Sequence, residues 1–202
     1  MFGQANSAES HLRRLGVGGG DVFLFFGWFR QVELAAGRYR YARAAPDIHC
    51  LFGWLQVERR FDVADLRELP EWARQHPHVK RAAYHPAHDS IYIATERLVL
   101  PRRGDVAKGG GVFPQFVPEL VLTAPGQLRS RWEVPSWLVP NGRTPLSYHA
   151  SHARWLSQSG QTYLQSVGRG QEFVLPADEY PEAEEWVESL FRASSAAGAR
   201  RE

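Results

Sequence analysis

Two apolar runs that share a Phe-Gly-Trp triplet dominate the hydrophobic pattern of the chain. The first run, 22–26, follows a glycine-rich turn at 16–20 and continues into Gly27 and Trp28, and the second run, 49–57, reads HCLFGWLQV. Both runs are rich in β-branched and aromatic residues and are apolar on both faces, which is typical of buried strands. A glycine inside a strand marks a bulge or a close approach by another group. We therefore predict two neighbouring core strands, each bent at its glycine.

Helical periodicity is clearest near the two ends of the chain. A first helix is predicted over 7–15, with Asn6 as its N-cap and Glu9 completing a capping box. An amphipathic helix is predicted over 181–192, and the small, polar residues 193–202 after it are expected to fray. Shorter apolar runs predict further strands, at 90–100, 117–123 and 171–175.

The polar segment 31–47 joins the two core strands and alternates arginine with tyrosine between residues 38 and 41. A connection of this length without periodicity is often functional. Its guanidinium groups suit phosphates and its tyrosines suit bases, but the same pattern fits an exposed hairpin. A second basic stretch, PRRGDVAKGGG at 101–111, is either a phosphate-binding loop or simply mobile. The predicted DNA-backbone contacts from these regions are Arg30, Arg38, Arg40, Arg102, Arg103 and Lys108.

Composition excludes several classes of protein. The 202 residues carry 24 basic and 22 acidic side chains, so any nucleic-acid surface must be local rather than a bulk charge. The single cysteine, Cys50, excludes an internal disulfide framework and favours a reducing cytoplasm. No apolar run approaches the roughly 20 residues of a membrane span, and the N-terminus has no signal-peptide pattern. We expect one domain, 1–202, in the cytoplasm.

Four histidines between positions 76 and 88 raise the question of a metal site. They are His76, His78, His85 and His88. Structural zinc sites usually show tighter pairing of cysteine and histidine, so we expect these side chains to bond a loop or serve another site, and no metal or cofactor to be bound. The glycines at 16–20 also fail as a nucleotide fingerprint, because a helix precedes them and a strand follows.

Motifs along almost the whole chain resemble a family called nucleotide modification-associated domain 3. They include FGQ at 2–4, GVGGGDVFLFFGWFR at 16–30, HPHV at 76–79, LTAPG at 122–126 and RGQEFVL at 169–175. The resemblance implies a link to DNA with hypermodified bases, mostly in phage and anti-phage settings, but no fixed reaction. Members of the family extend further at the N-terminus, so this chain is expected to lack a preceding segment. Asp89 stands where the family pattern has asparagine.

The strand pattern also resembles PUA-like and EVE-like barrels, which hold modified bases in an aromatic pocket. Together these features favour an α+β fold, with a mixed, mostly antiparallel curved sheet or small PUA-like barrel and flanking helices.

An enzyme that acts on a base must extrude it from the stack and hold it with aromatic rings and polar groups. Many of these aromatic residues are equally suited to a core. The predicted base-binding residues are Gln4, Trp28, Trp54, Gln56, Ser130, Trp132, Tyr148 and His149.

Excision of a base needs a carboxylate to stabilise the sugar cation or orient water, and a group that protonates the leaving base. The predicted catalytic residues are Asp21, Asp89, His49 and His78, although Asp21 also fits a simple turn role. The leading hypothesis is a DNA glycosylase that removes a modified pyrimidine, for example a glucosylated hydroxymethyl pyrimidine, in phage defence. The alternatives are a non-catalytic reader of modified bases and an accessory protein of a base-modification pathway. The predicted partner is DNA with modified bases, with no membrane and no nucleotide cofactor.

Overall fold

The computed structural model describes residues 1–65, 67–82, 89–168 and 172–199. The helices are α1 (Asn6–Arg14), α2 (Pro77–Ala82) and α3 (Glu182–Ala199). The strands are β1 (Phe2–Ala5), β2 (Val22–Phe29), β3 (Val32–Ala35), β4 (Arg38–Tyr41), β5 (Ile48–Asp62), β6 (Asp89–Ala94), β7 (Arg97–Leu100), β8 (Gly104–Lys108), β9 (Gly110–Val112), β10 (Arg131–Val134), β11 (Trp155–Gln158) and β12 (Gln161–Gln165).

The main sheet has the strand order β1–β6–β5–β2, and β9 also pairs with β5. A second sheet has the order β10–β12–β11, and two hairpins are formed by β3–β4 and β7–β8. The pairings with an established register are antiparallel, and β5 shifts register between Val57 and Arg59, as at a bulge that bends a strand. The predicted fold class, α+β with a mostly antiparallel sheet and flanking helices, is confirmed.

The chain divides into two compact units. Unit 1 comprises Met1–Leu24 and Gly53–Val112, and unit 2 comprises Phe25–Phe52 and Phe113–Glu202. The described core of unit 1 includes Phe61, Val63, Leu69, Ala73, Val79, Ile91 and Ile93. That of unit 2 includes Leu120, Trp132, Val134, Leu164, Tyr180 and Leu190. That residues 1–202 form a single domain stays a prediction.

The two predicted strands are present as neighbours, β2 and β5, and both are longer than their apolar runs. Only β5 is a core strand, because none of the β2 side chains is fully buried. Gly53 serves a close approach, because a Cβ atom there would lie 2.7 Å from the carbonyl oxygen of Gly111 on β9. The bulge of β5 lies further along, at Val57. Gly53, in the second Phe-Gly-Trp triplet, therefore leaves room for the neighbouring strand β9 and is not the position of the bulge in β5.

The first helix begins one residue earlier than predicted and is not capped as predicted. Ala5 is the N-cap, no side chain caps the helix, and Asn6 itself has φ +57°. Glu9 does not reach back to the helix start, since its carboxylate is fully buried and bonded to Tyr92 and Arg13. A tertiary network has replaced the local capping box.

Four predictions of secondary structure are corrected. The segment 90–100 is two strands, β6 and β7, and the described part of 171–175 is not a strand. Pro118–Leu120 is a 3₁₀ turn, because proline fixes φ and lacks the N–H that a ladder needs. The last helix continues past residue 192 to Ala199, and Ser194 in this extension is fully buried with its hydroxyl bonded to the backbone of Gln115. Among the described helices, none has the length and apolar character to cross a bilayer.

Candidate functional site

Antiparallel pairing of β1 with β6 places Asp89 opposite Ala5, at the point where β6 begins. His78, in the first turn of α2, brings its Nδ1 to 3.5 Å from Asp89 Oδ2. Asp89 is fully buried, whereas the His78 side chain is 22% exposed. The structure thus brings together two of the four predicted catalytic residues, with the imidazole facing outward and the carboxylate behind it.

A second histidine completes this cluster in unit 1. The rings of His76 and His78 lie with their centroids 5.3 Å apart. The backbone N–H of His78 donates a hydrogen bond to His76 Nδ1 over 3.2 Å. Burial, with the charge of His78, lowers the pKa of His76. Both rings pack on Gly3 of β1, where a Cβ atom would lie 2.4 Å from His76 and 2.8 Å from His78. Only glycine at position 3 leaves room for both imidazoles.

A polar network around the buried Glu9 lies in the same unit as the histidine cluster. Glu9 accepts hydrogen bonds from the Tyr92 hydroxyl at 2.8 Å and from Arg13 Nε at 2.9 Å. Arg13 also donates to Asp62 at 2.6 Å and to Ser90 at 3.0 Å. Burial and the Glu9 hydrogen bond raise the pKa of Tyr92. Because Ser90 follows Asp89 in β6, this network fixes the strand that carries the candidate carboxylate.

The pair of His78 and Asp89 is suited to proton transfer. A carboxylate beside Nδ1 orients an imidazole and stabilises its protonated form, leaving Nε2 to exchange a proton with a bound molecule. The distance of 3.5 Å is longer than an ideal hydrogen bond, and such bonds often shorten when substrate binds. Because Asp89 is fully buried, it would act through His78 rather than touch a sugar directly.

The predicted His49 belongs to an aromatic cluster in unit 2. Trp132 Nε1 donates to His49 Nδ1 over 2.9 Å, so the neutral ring carries its proton on Nε2. Phe26 and Phe173 pack against Trp132 with centroids 5.1 and 5.7 Å away. Burial, with the charge of Arg129, lowers the pKa of His49. Burial and the hydrogen bond from Trp132 both favour the neutral form of His49.

His149 and Ser130 have their polar atoms engaged within unit 2. His149 Nδ1 donates to the Ser147 carbonyl at 2.8 Å, and Nε2 accepts from the Val167 N–H at 3.3 Å. Burial lowers the pKa of this fully buried ring. Ser130 Oγ accepts a hydrogen bond from Gln165. Both side chains therefore form hydrogen bonds within the protein.

Trp28 and Tyr148 are the predicted base-binding aromatics that face solvent. Trp28 is 63% exposed, and the Arg129 guanidinium lies 3.9 Å from the centre of its ring. Such a stack of indole and guanidinium is a surface on which a base can lie. Tyr148 is exposed and has φ +66°, an unusual backbone conformation for tyrosine. Arg129 was missed by sequence reasoning, and no local pattern pairs it with a residue 101 positions away.

Four predicted site residues form hydrogen bonds within the protein that give them structural roles. The buried Trp54 indole donates to the Lys108 carbonyl at 2.7 Å. The Gln56 side chain donates to the carbonyls of Gly20 and Val99 and accepts from the Val99 N–H, so its amide is occupied. Asp21 accepts from the Gly18 N–H at 2.8 Å, as a turn residue does. Gln4 likewise bonds locally, to the Ala5 N–H.

The predicted DNA-backbone residues are divided between the units. Arg30, Arg38 and Arg40 are exposed in unit 2, on or beside the β3–β4 hairpin, where Arg40 pairs with Glu33 at 2.7 Å. The remaining three, Arg102, Arg103 and Lys108, are exposed on the β7–β8 hairpin of unit 1. The alternating arginines and tyrosines thus form the exposed hairpin that the sequence left open as an alternative.

Within the described residues, no group of three or more histidine, cysteine, aspartate or glutamate side chains is arranged to hold a metal ion. His85 and His88 lie outside the described residues. A depression of about 610 Å³ is lined by Ala64, Asp65, Arg67 and Arg74, and neither His76 nor His78 is among its lining residues.

The fold and these clusters define an α+β protein with a buried carboxylate behind a histidine and an exposed indole under an arginine. Residues 1–176 match the family described as nucleotide modification associated domain 3, and the chain belongs to this family. The family associates the protein with nucleotide modification. A search of curated proteins and a search of solved structures each found no match.

Proposed function

We propose that this protein recognises hypermodified bases in DNA and excises them, as a cytoplasmic DNA glycosylase active in defence against phage. A glucosylated hydroxymethyl pyrimidine is the most concrete substrate. The observation that carries the proposal is the pair of His78 and Asp89, a partly exposed imidazole in front of a buried carboxylate. The family's association with nucleotide modification supports a modified base as the target.

The reaction needs one proton donor and one water. Protonated His78 donates from Nε2 to the leaving base as the bond between the base nitrogen and C1′ breaks, and the bonding electrons leave with the base. Water adds to the sugar cation at C1′ and returns its proton to His78. Asp89 holds the imidazole through Nδ1 and stabilises its charge. The products are the free base and an abasic sugar.

Recognition requires that the base leaves the stack, at a cost of a few kcal/mol. The exposed Trp28 under Arg129 supplies a stacking surface in unit 2, with Tyr148 as a further exposed ring. The exposed arginines of the β3–β4 hairpin supply phosphate contacts. These features support DNA as the partner.

Incubation with phage DNA that contains glucosylated hydroxymethylcytosine tests the proposal, with strand breakage in alkali as the readout for abasic sites. We expect breakage with the unchanged protein and a loss of about 10²-fold or more in rate for Asp89→Asn and for His78→Gln. Asp65→Asn, which changes an exposed aspartate of the same unit, is the matched control and should keep full activity. Full turnover by Asp89→Asn would remove the pair from the mechanism.

A non-catalytic reader of modified bases is the second candidate, favoured by the exposed stack of Trp28 and Arg129. A reader retains modified DNA without breakage, and Asp89→Asn leaves retention unchanged. Trp28→Ala should weaken retention about tenfold or more, whereas Trp72→Ala, which removes a similarly exposed indole from unit 1, should not. If the protein neither retains nor breaks modified DNA, an accessory role in base modification is favoured.

A further inference from the structure

The β3–β4 hairpin of unit 2 has two unlike faces. Antiparallel register places Val32 opposite Tyr41 and Leu34 opposite Tyr39, so these four side chains share one face. We call this face the insertion face. Glu33, opposite Arg40, lies on the other face. Ala36 and Gly37 connect the strands with φ +50° and +74°, as in the tight type I′ turns of hairpins.

The insertion face points to solvent, which reverses the usual arrangement of a hairpin. Val32, Leu34, Tyr39 and Tyr41 are 51%, 65%, 78% and 67% exposed. On β3, the side chains of the opposite face, Glu33 and Ala35, are the more covered ones. A two-stranded hairpin gains stability only when its apolar face is covered, so four large apolar side chains in water indicate a binding surface.

The charges around the insertion face indicate the chemistry of its partner. Residues 30–43 contain four arginines, Arg30, Arg38, Arg40 and Arg43, and Glu33 is their only acidic residue. The Arg30 guanidinium lies 5.4 Å from the centre of the Tyr41 ring, at the base of the hairpin. Arginines interleaved with exposed aromatic rings suit a polyanion with stacked bases better than a second copy of a nearly neutral protein.

The two-stranded form of the hairpin and its exposed apolar side chains favour a duplex over a single strand. A two-stranded β-ribbon fits the major groove of DNA, and apolar side chains inserted between base steps unstack and kink a duplex. Leu34 and Tyr39 form the exposed pair nearest the turn, so they are the side chains that would enter first. A single strand has no opposing stack for such a wedge to separate.

We infer that the β3–β4 hairpin is a wedge for double-stranded DNA, with Leu34 and Tyr39 entering the base stack where the target nucleotide is extruded and Arg38 and Arg40 contacting the flanking phosphates. This inference rests on the proposed function for its DNA target and extends it to the strand state of the substrate.

The test uses the full chain and short oligonucleotides that carry one glucosylated hydroxymethylcytosine beside a 2-aminopurine, either as a duplex or as a single strand. We expect the unchanged protein to raise 2-aminopurine fluorescence in the duplex, since this base brightens when it unstacks. Leu34→Ser combined with Tyr39→Ser should abolish that rise and weaken duplex binding about tenfold or more, with single-strand binding kept within about twofold. Phe116→Ala removes an equally exposed ring of unit 2 and is the matched control.

Arginine variants separate the wedge from the phosphate contacts. Arg38→Ala combined with Arg40→Ala should weaken binding to every duplex and reduce the salt dependence of the affinity by about two in log–log slope. The serine variant should leave that slope unchanged. Equal loss of slope in both variants would contradict the division of roles between the faces.

The outcomes also separate the wedge from the proposed excision. If the serine variant keeps duplex fluorescence and affinity, the wedge is wrong, whatever the excision rate. If it loses both while no DNA is broken by the unchanged protein, the wedge stands and the glycosylase fails. If the unchanged protein binds no DNA, both fail. If the unchanged protein is a dimer and the serine variant is a monomer with unaltered DNA binding, the insertion face is an interface between copies. The wedge is then overturned.

Discussion

At the scale of the residue, Gly3 is the position that leaves room for the histidine cluster. A methyl group there would lie within 3 Å of both His76 and His78, so at least one ring must move. We expect Gly3→Ala to reduce the free energy of unfolding by about 1–3 kcal/mol and to shift the imidazole NMR signals of both histidines. Chemical denaturation and a histidine NMR titration measure the two effects.

Gly18→Ala is the matched control for Gly3. The nearest atom to a Cβ atom at position 18 is 3.8 Å away, so the change should alter stability by less than about 0.5 kcal/mol. Unchanged imidazole signals in Gly3→Ala would show that the rings do not pack on this glycine as described.

At this scale the sequence indicated candidate side chains, but not the partners that the fold brings to them. Asp89 and His78 were both predicted, and the structure brings them to 3.5 Å. Trp54 and Gln56 were predicted as base contacts from their residue types. Both lie in β5, where hydrogen bonds to Lys108 and Val99 occupy them, and the sequence alone does not indicate those partners.

At the scale of the element, α1 is held to β6 by Glu9. Its buried carboxylate accepts hydrogen bonds from Arg13 and Tyr92, so Glu9→Ala would leave both donors without this partner. We expect a loss of about 3 kcal/mol in the free energy of unfolding for Glu9→Ala, and a smaller loss for Glu9→Gln, which keeps an acceptor for Tyr92. Urea denaturation measures both.

Glu71→Ala is the control for Glu9, because Glu71 is an exposed carboxylate of the same unit that pairs with Arg74 at 3.3 Å. An exposed pair contributes little, so the change should cost less than about 1 kcal/mol. Equal losses for Glu9→Ala and Glu71→Ala would show that burial of Glu9 does not matter to stability.

Elements with a long, uniform pattern could be predicted, and those that depend on distant partners could not. The apolar runs of β2 and β5 predicted strands and both strands form, although only β5 contains a run of buried residues and β2 is half-buried to exposed along its length. The predicted capping box was wrong because the Glu9 carboxylate bonds to Tyr92 of β6 and not to the start of its own helix. The last helix was predicted too short, because its extension is held by Ser194 on Gln115 rather than by an apolar stripe.

At the scale of the whole molecule, three histidines with lowered pKa values make stability depend on pH. Burial lowers the pKa of His49, His76 and His149 from the ordinary value of 6.5. Their unfolded forms bind protons at a higher pH than their folded forms, so the stabilisation is fully present above pH 6.5 and is lost as pH falls through each folded pKa.

We therefore expect the free energy of unfolding to fall between about pH 7.5 and pH 5, by at most about 1.4 kcal/mol per pH unit for each histidine. His149→Gln should lower stability at neutral pH, because it disturbs the bonds to Ser147 and Val167, and should also flatten the slope. His152→Gln, which changes an exposed histidine of the same unit, is the matched control variant. Urea denaturation at several pH values measures the slopes, and an unaltered slope in His149→Gln would mean that its protonation is not linked to unfolding.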